Sequence, residues 1–267
     1  MPAIQPARLI KQTADLATKF DQPAGFVRDL HALLDRYTDH THRPGQAGEP
    51  FPLMGAYNTP PPVMNQVWIE LTRQTRMHPE SILPLCDALW AEPNHDLQLL
   101  AAKLLGQVSI DQPEPVLTRL KAWVPGGLDK RLLDGLLEHG LGQLRHHAPV
   151  KVLELVSGWL LSSDMTLRQA GLHALLPLIN TAGIENLPVI FRLITPTIRI
   201  APSQLRPDIL TVLTALAHIS PAETAYLLRQ NLTAPDNPDT AWLIRQVMAE
   251  FPDETRAGLK AAMKGII

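Results

Sequence analysis

The sequence predicts an all-α chain of stacked helical hairpins, and three observations carry that prediction. Apolar residues recur at three- and four-residue steps along most of the chain, the pattern of helices that each bury one face. The prolines and glycines that punctuate these stripes return about every 32–38 residues, inside the range of helical solenoid repeats. No stretch alternates apolar with polar residues, and aromatic residues make up only 5% of the chain, fewer than a β-rich domain usually carries. The expected architecture is a HEAT-like helical-repeat superhelix of the armadillo type, right-handed, with about six helical hairpins.

In chain order, residues 3–20 and 23–37 read as two helices, with Phe26, Leu30, Leu33 and Leu34 forming the stripe of the second. They make an N-terminal hairpin over 1–38. Residues 39–59 hold Pro44, Gly45, Gly48, Pro50, Pro52 and Gly55 and read as an irregular linker. The repeat array is expected over 60–267 as one continuous domain. Thr59-Pro60 opens a helix to about Met77, with Val63, Val67, Trp68 and Leu71 inward.

The unit Pro79–Val108 is the clearest statement of the repeat. Ile82, Leu83, Leu85, Cys86, Leu89 and Trp90 make one stripe, and Glu92-Pro93-Asn94 stops that helix. Asn94 can cap a second helix whose stripe is Leu97, Leu100, Ala101, Leu104, Leu105 and Val108. Neither helix can bury its stripe alone, so the two must pack on each other and on neighbours. Further pairs are expected to begin near Pro113, Pro149, Gly183, Pro221 and Pro252. Their second helices are expected near Leu128, Asp164, Leu205 and Asn237. Leu97, Leu104, Leu133, Leu136, Leu175 and Leu213 are the expected core.

Composition narrows the function classes. With 45% hydrophobic residues over 267 positions, the chain can bury a large core. Its 24 basic and 26 acidic residues give a formal charge of -2, which argues against a strong non-specific nucleic-acid binder. Cys86 is the only cysteine, so no disulfide can form within the chain, which suits a reducing cytoplasm. The N-terminal MPAIQPARLIKQTADLATKF carries charges and prolines throughout, unlike a signal peptide. No apolar run of about 18 residues is present for a membrane span. A cytoplasmic protein is expected.

Chemistry-bearing motifs are few. His139 and Arg145-His146-His147 invite a metal reading, but adjacent histidines point to different sides of a helix and no ligand spacing is completed. Phosphate-binding glycine loops, Ser/His/Asp signatures and paired CxxC motifs are all missing from the sequence. No cofactor or metal is expected. Lys130, Arg131, Asp134 and Glu138 share the helix face opposite Leu132, Leu133, Leu136 and Leu137. The window Val116–Lys151 holds six Lys or Arg against three acids, plus three histidines, and is locally basic.

Four segments carry a family resemblance, in order: GAYNTPPPVMNQVW, CDALWAEPNHDLQLLAAKLL, LKAWVPGGLDKRLLDGLLEHGLGQL and LELVSGWLLSSDMTLRQAGLHALL. Over about residues 30–235 the chain resembles the alkylpurine DNA glycosylases of the AlkD type, which are built from HEAT-like hairpins. The resemblance implies action on positively charged N3- or N7-alkylated purines without flipping the base into a pocket. It implies tryptophans against the lesion's sugar and backbone, and an aspartate that stabilises the oxocarbenium-like transition state. Asp134 falls at that catalytic aspartate. Lys130 stands where the family has a tryptophan four residues earlier. The second groove tryptophan falls at Thr211, a phosphate-holding arginine at Thr214, and a further arginine at Gln169 beside Arg168.

Three readings follow. A diverged family member would hold duplex DNA weakly through phosphates, with Arg119, Lys130, Arg131, Arg168 and Arg206 (and Arg245 as a further member) as a basic stripe in a concave groove. A protein–protein scaffold would instead take a protein partner in a groove without such a track. An active glycosylase would need other groups, such as Trp123 or Trp159, to replace the lost aromatic walls.

Overall fold

The computed structural model describes residues 4–38, 55–109, 111, 113–180, 187–234 and 239–264. Among them are fifteen α-helices, four 3-10 turns and no strand, with Gly55 and Asn94 forming one isolated bridge. Most of the expected linker, and the helix starts expected near Gly183 and Asn237, lie outside the described residues. The helices group into two compact units, Met1–Ala148 and Pro149–Ile267.

The first unit holds α1 (Pro6–Ala17), α2 (Pro23–Tyr37), α3 (Pro61–Met77), α4 (Ile82–Trp90), α5 (His95–Leu105), α6 (Glu114–Trp123), α7 (Lys130–Gly140) and the short α8 (Leu144–His147). Proline stands in the first turn of α1, α2 and α3, where its missing N–H costs nothing. Pro79 opens a 3-10 turn, Pro79–Ser81, and the α-helix proper follows from Ile82. Asn94 caps α5 as its sequence position suggests, its side chain accepting from the N–H groups of Asp96 and Leu97. Helix α5 packs along both α4 and α7, α1 packs on α3, and α2 packs on α4.

A polar clasp fastens the segment that enters α3. The His95 N–H donates to the Gly55 carbonyl at 3.0 Å, and the Tyr57 N–H to Asp96 Oδ2 at 2.8 Å. The Tyr57 hydroxyl lies 2.5 Å from His31 Nδ1, and His31 Nε2 lies 3.1 Å from Glu92. Three separate parts of the first unit, α2, the Gly55–Pro60 segment and the α4–α5 turn, therefore meet at one imidazole.

The second unit holds α9 (Pro149–Leu160), α10 (Met165–Ile179), α11 (Leu187–Ile200), α12 (Arg206–Ile219), α13 (Pro221–Leu232), α14 (Thr240–Val247) and α15 (Asp253–Lys264). Asp164 caps α10 by accepting from the Thr166 N–H at 2.8 Å. Helix α10 packs on α9 and α12, and α12 packs on α13 and α14.

Leu97, Leu104, Leu133 and Leu136 are buried in the first unit, and Leu175 and Leu213 in the second. Successive hairpins are also tied by polar contacts one repeat apart. Arg119–Asp87, Arg199–Asn231, Arg206–Asp239 and His218–Glu250 are separated by 32, 32, 33 and 32 positions. A contact recurring at the repeat length is what stacked hairpins produce, because equivalent positions in neighbouring units become spatial neighbours.

Candidate nucleic-acid interface

Helix α7 carries the central residues, and its start is set by Asp129, whose carboxylate accepts from the Leu132 N–H at 3.0 Å. Leu132, Leu133, Leu136 and Leu137 are buried, which turns Lys130, Arg131 and Asp134 to the exposed side. The structure thus brings these three together on one helix face. Glu138, one turn further, accepts from Arg145 Nη2 at 3.0 Å. Behind the face, His95 Nε2 stands 4.0 Å from the cap residue Asp129.

Arg119, on α6, is committed elsewhere. Its guanidinium meets the Asp87 carboxylate in a two-pronged pair, Nε to Oδ1 at 2.8 Å and Nη2 to Oδ2 at 2.5 Å. A third donor, Nη1, reaches the Pro115 carbonyl at 3.1 Å. This fork geometry spends most of the guanidinium on joining α4 to α6.

In the second unit Arg168 is half-buried near the start of α10, with its Nε buried and unpartnered among the described residues. Gln169 donates to Asp208 Oδ2 at 3.0 Å, and His173 Nε2 lies 2.8 Å from Asp208 Oδ1. This buried polar cluster joins α10 to α12 and was not foreseen from the sequence. Its only local sign is the four-residue spacing of Gln169 and His173, which is common on any helix. Arg206 opens α12 and pairs with Asp239 at 2.8 Å. Thr211 is exposed and Thr214 half-buried.

The tryptophans divide sharply. Trp123 and Trp159 are buried, at 9% and 5% exposure. Trp123 stacks on Trp90 with ring centroids 4.2 Å apart and planes 6° from parallel. Trp123 and Trp159 are therefore core residues, too covered to present an open aromatic face. Burial pushes the Cys86 thiol up, and its Sγ–H meets the Ala101 carbonyl at 3.6 Å, so it stays protonated and inert. Among the described residues no group of three or more His, Cys, Asp or Glu could hold a metal ion, and no helix is long and apolar enough to cross a membrane.

Among the described residues the chain is all-helical, compatible with a helical repeat fold, and presents cationic and carboxylate groups on an exposed face of α7. A family model described as DNA alkylation repair enzyme matches residues 39–201. That is well over half of the chain, and the chain belongs to this family. No curated protein and no solved structure matches it. The matched segment includes Arg119, Lys130, Arg131, Asp134 and Arg168, and it ends before Arg206.

Proposed function

We propose that this family member holds duplex DNA through phosphate contacts and has weak or no base-excision activity. In this reading the hairpins stack in the HEAT manner and the protein works in the cytoplasm. Lys130, Arg131 and Arg168 supply the principal contacts, while Arg119 and Arg206, each already paired with an aspartate, contribute little. The observation that carries the reading is the setting of Asp134. It lies on an exposed face four residues from Lys130, while Trp123 and Trp159 are buried.

A carboxylate that stabilises a developing sugar cation works best in a site that excludes water, where its field is little screened. On an exposed helix face the same charge is screened and is shared with an i,i+4 cation. A Lys130 ammonium would also repel a positively charged alkylpurine. Phosphates, by contrast, need only accessible cations, and their capture releases counterions from the duplex.

The test is titration of a labelled duplex at about 50 and 200 mM salt, together with 7-methylguanine release from alkylated duplex. Binding that weakens steeply with salt, with little base release, is expected. No binding by folded protein at low salt would end the phosphate reading. Robust release abolished by Asp134→Asn would overturn the claim of weak activity.

One observation favours a second reading. Arg119 and Arg206 are already bound to Asp87 and Asp239, which leaves less free positive charge than the sequence suggests. A scaffold for a protein partner would show this pattern, and DNA binding absent at every salt concentration would favour it.

A further inference from the structure

Arg206 and Trp242 form a contact that lies beyond the family-matched segment and that phosphate binding does not use. Arg206 stands at the start of α12, and Trp242 lies in the first turn of α14, the helix packed against α12. The guanidinium is fixed on three sides. Its Nε donates to the Ala201 carbonyl at 3.1 Å, its Nη2 donates to Asp239 Oδ1 at 2.8 Å, and its Cζ lies 5.1 Å from the centre of the Trp242 ring. The indole is only half-buried, so part of it meets solvent.

Asp239 decides what this surface can take. Its carboxylate neutralises the guanidinium and disfavours a phosphate at the same spot. What remains is the part of the indole that meets solvent, backed by the guanidinium over its ring and held without further loss of side-chain freedom. Such a surface is complementary to another flat π system. Within a protein that holds nucleic acid, the occupant is a base and not the backbone.

Resting on the proposed nucleic-acid reading, we infer that Trp242, held in place by Arg206, is a stacking platform for an unpaired nucleobase. A fully paired duplex hides its base faces inside its own stack. The platform is therefore reached only by a single-stranded tract, a bulge or a frayed end, with little regard for base identity.

The test uses the full chain with labelled oligothymidylate and a fully paired duplex of equal length, at low salt. Trp242→Leu is expected to weaken single-strand binding by between about fivefold and a hundredfold while leaving duplex binding unchanged. Trp242→Phe is expected to retain most of it. In parallel, oligothymidylate is expected to quench the indole fluorescence of the unmodified protein, and that quenching should be largely lost in Trp242→Phe, a change mild enough to preserve folding. Unchanged single-strand affinity in Trp242→Leu, equal losses on both DNAs, or quenching that persists in Trp242→Phe would overturn the platform while leaving the phosphate reading intact. If the unmodified protein binds neither DNA, the phosphate reading fails and the platform falls with it.

Discussion

Replacing Gly106 by alanine tests the packing that places α7. Gly106 ends α5 with φ -69° and ψ -7°, a conformation alanine adopts freely, so any penalty must be steric. A Cβ there would lie 2.2 Å from the His139 carbonyl oxygen and 3.1 Å from its carbon. Comfortable carbon–oxygen contact needs roughly 1 Å more, and the opposing atom is backbone, which no rotamer change can move. Either α7 shifts as a body or the end of α5 unwinds. The expected cost is about 3 kcal/mol, the upper part of the usual overpacking range. For a chain of this size that lowers the melting midpoint by roughly 6–12 °C. Gly126→Ala is the control, since a Cβ there meets nothing within 4 Å, and it should be neutral or slightly stabilising. Thermal melts followed by circular dichroism decide the matter. A Gly106→Ala midpoint within a degree of the parent would refute the close approach of α5 to α7.

Other expectations follow from the same structure. Leu136→Ala, at a fully buried position, should cost about 2–5 kcal/mol by chemical denaturation; a loss below about 1 kcal/mol would contradict its place in the core. His139 is held below its ordinary value of 6.5 by desolvation first and by the nearby Lys103 next. Its contribution is therefore intact above pH 6.5 and declines as pH falls through that value toward the depressed folded one. His139→Gln should reduce the loss of stability between about pH 7.5 and 5.5, compared with the parent. Glu223 is held below its ordinary value of 4.5, chiefly by the Ser220 hydroxyl that donates to it at 2.5 Å. Its contribution is present above pH 4.5 and lost below it, so Glu223→Gln should flatten the acid limb of a stability–pH curve.

How much of this was legible in the sequence depended on range. Stripes, caps and prolines act within one helix, which is why Leu97, Leu104 and Leu136 could be placed in the core, Asn94 read as a cap and a helix start placed near Asp164. The exposed face of Lys130, Arg131 and Asp134 was legible for the same reason, because four-residue neighbours share a helix side. The partners of Arg119 and Arg206 were not, since Asp87 and Asp239 lie 32 and 33 positions away. Those distances equal the repeat length, so the partner is fixed by how one hairpin sits on the next, which no local pattern records. Gln169, His173 and Asp208 were missed likewise: each is ordinary on its own helix, and only the packing of α10 on α12 buries them together.

The clasp around His31 changes what holds the N-terminal hairpin in place. Helices α1 and α2 lie against α3 and α4, while Tyr57 and Glu92 meet His31 across the gap in sequence. Chain continuity between Thr38 and Gly55 is therefore not what keeps the hairpin bound. A protein cut once in that interval should migrate as one particle on gel filtration, and residues 1–38 made as a separate peptide should add back to the remainder. In genetic terms, the boundary there is expected to tolerate fission, with the first two helices supplied in trans as a removable subunit.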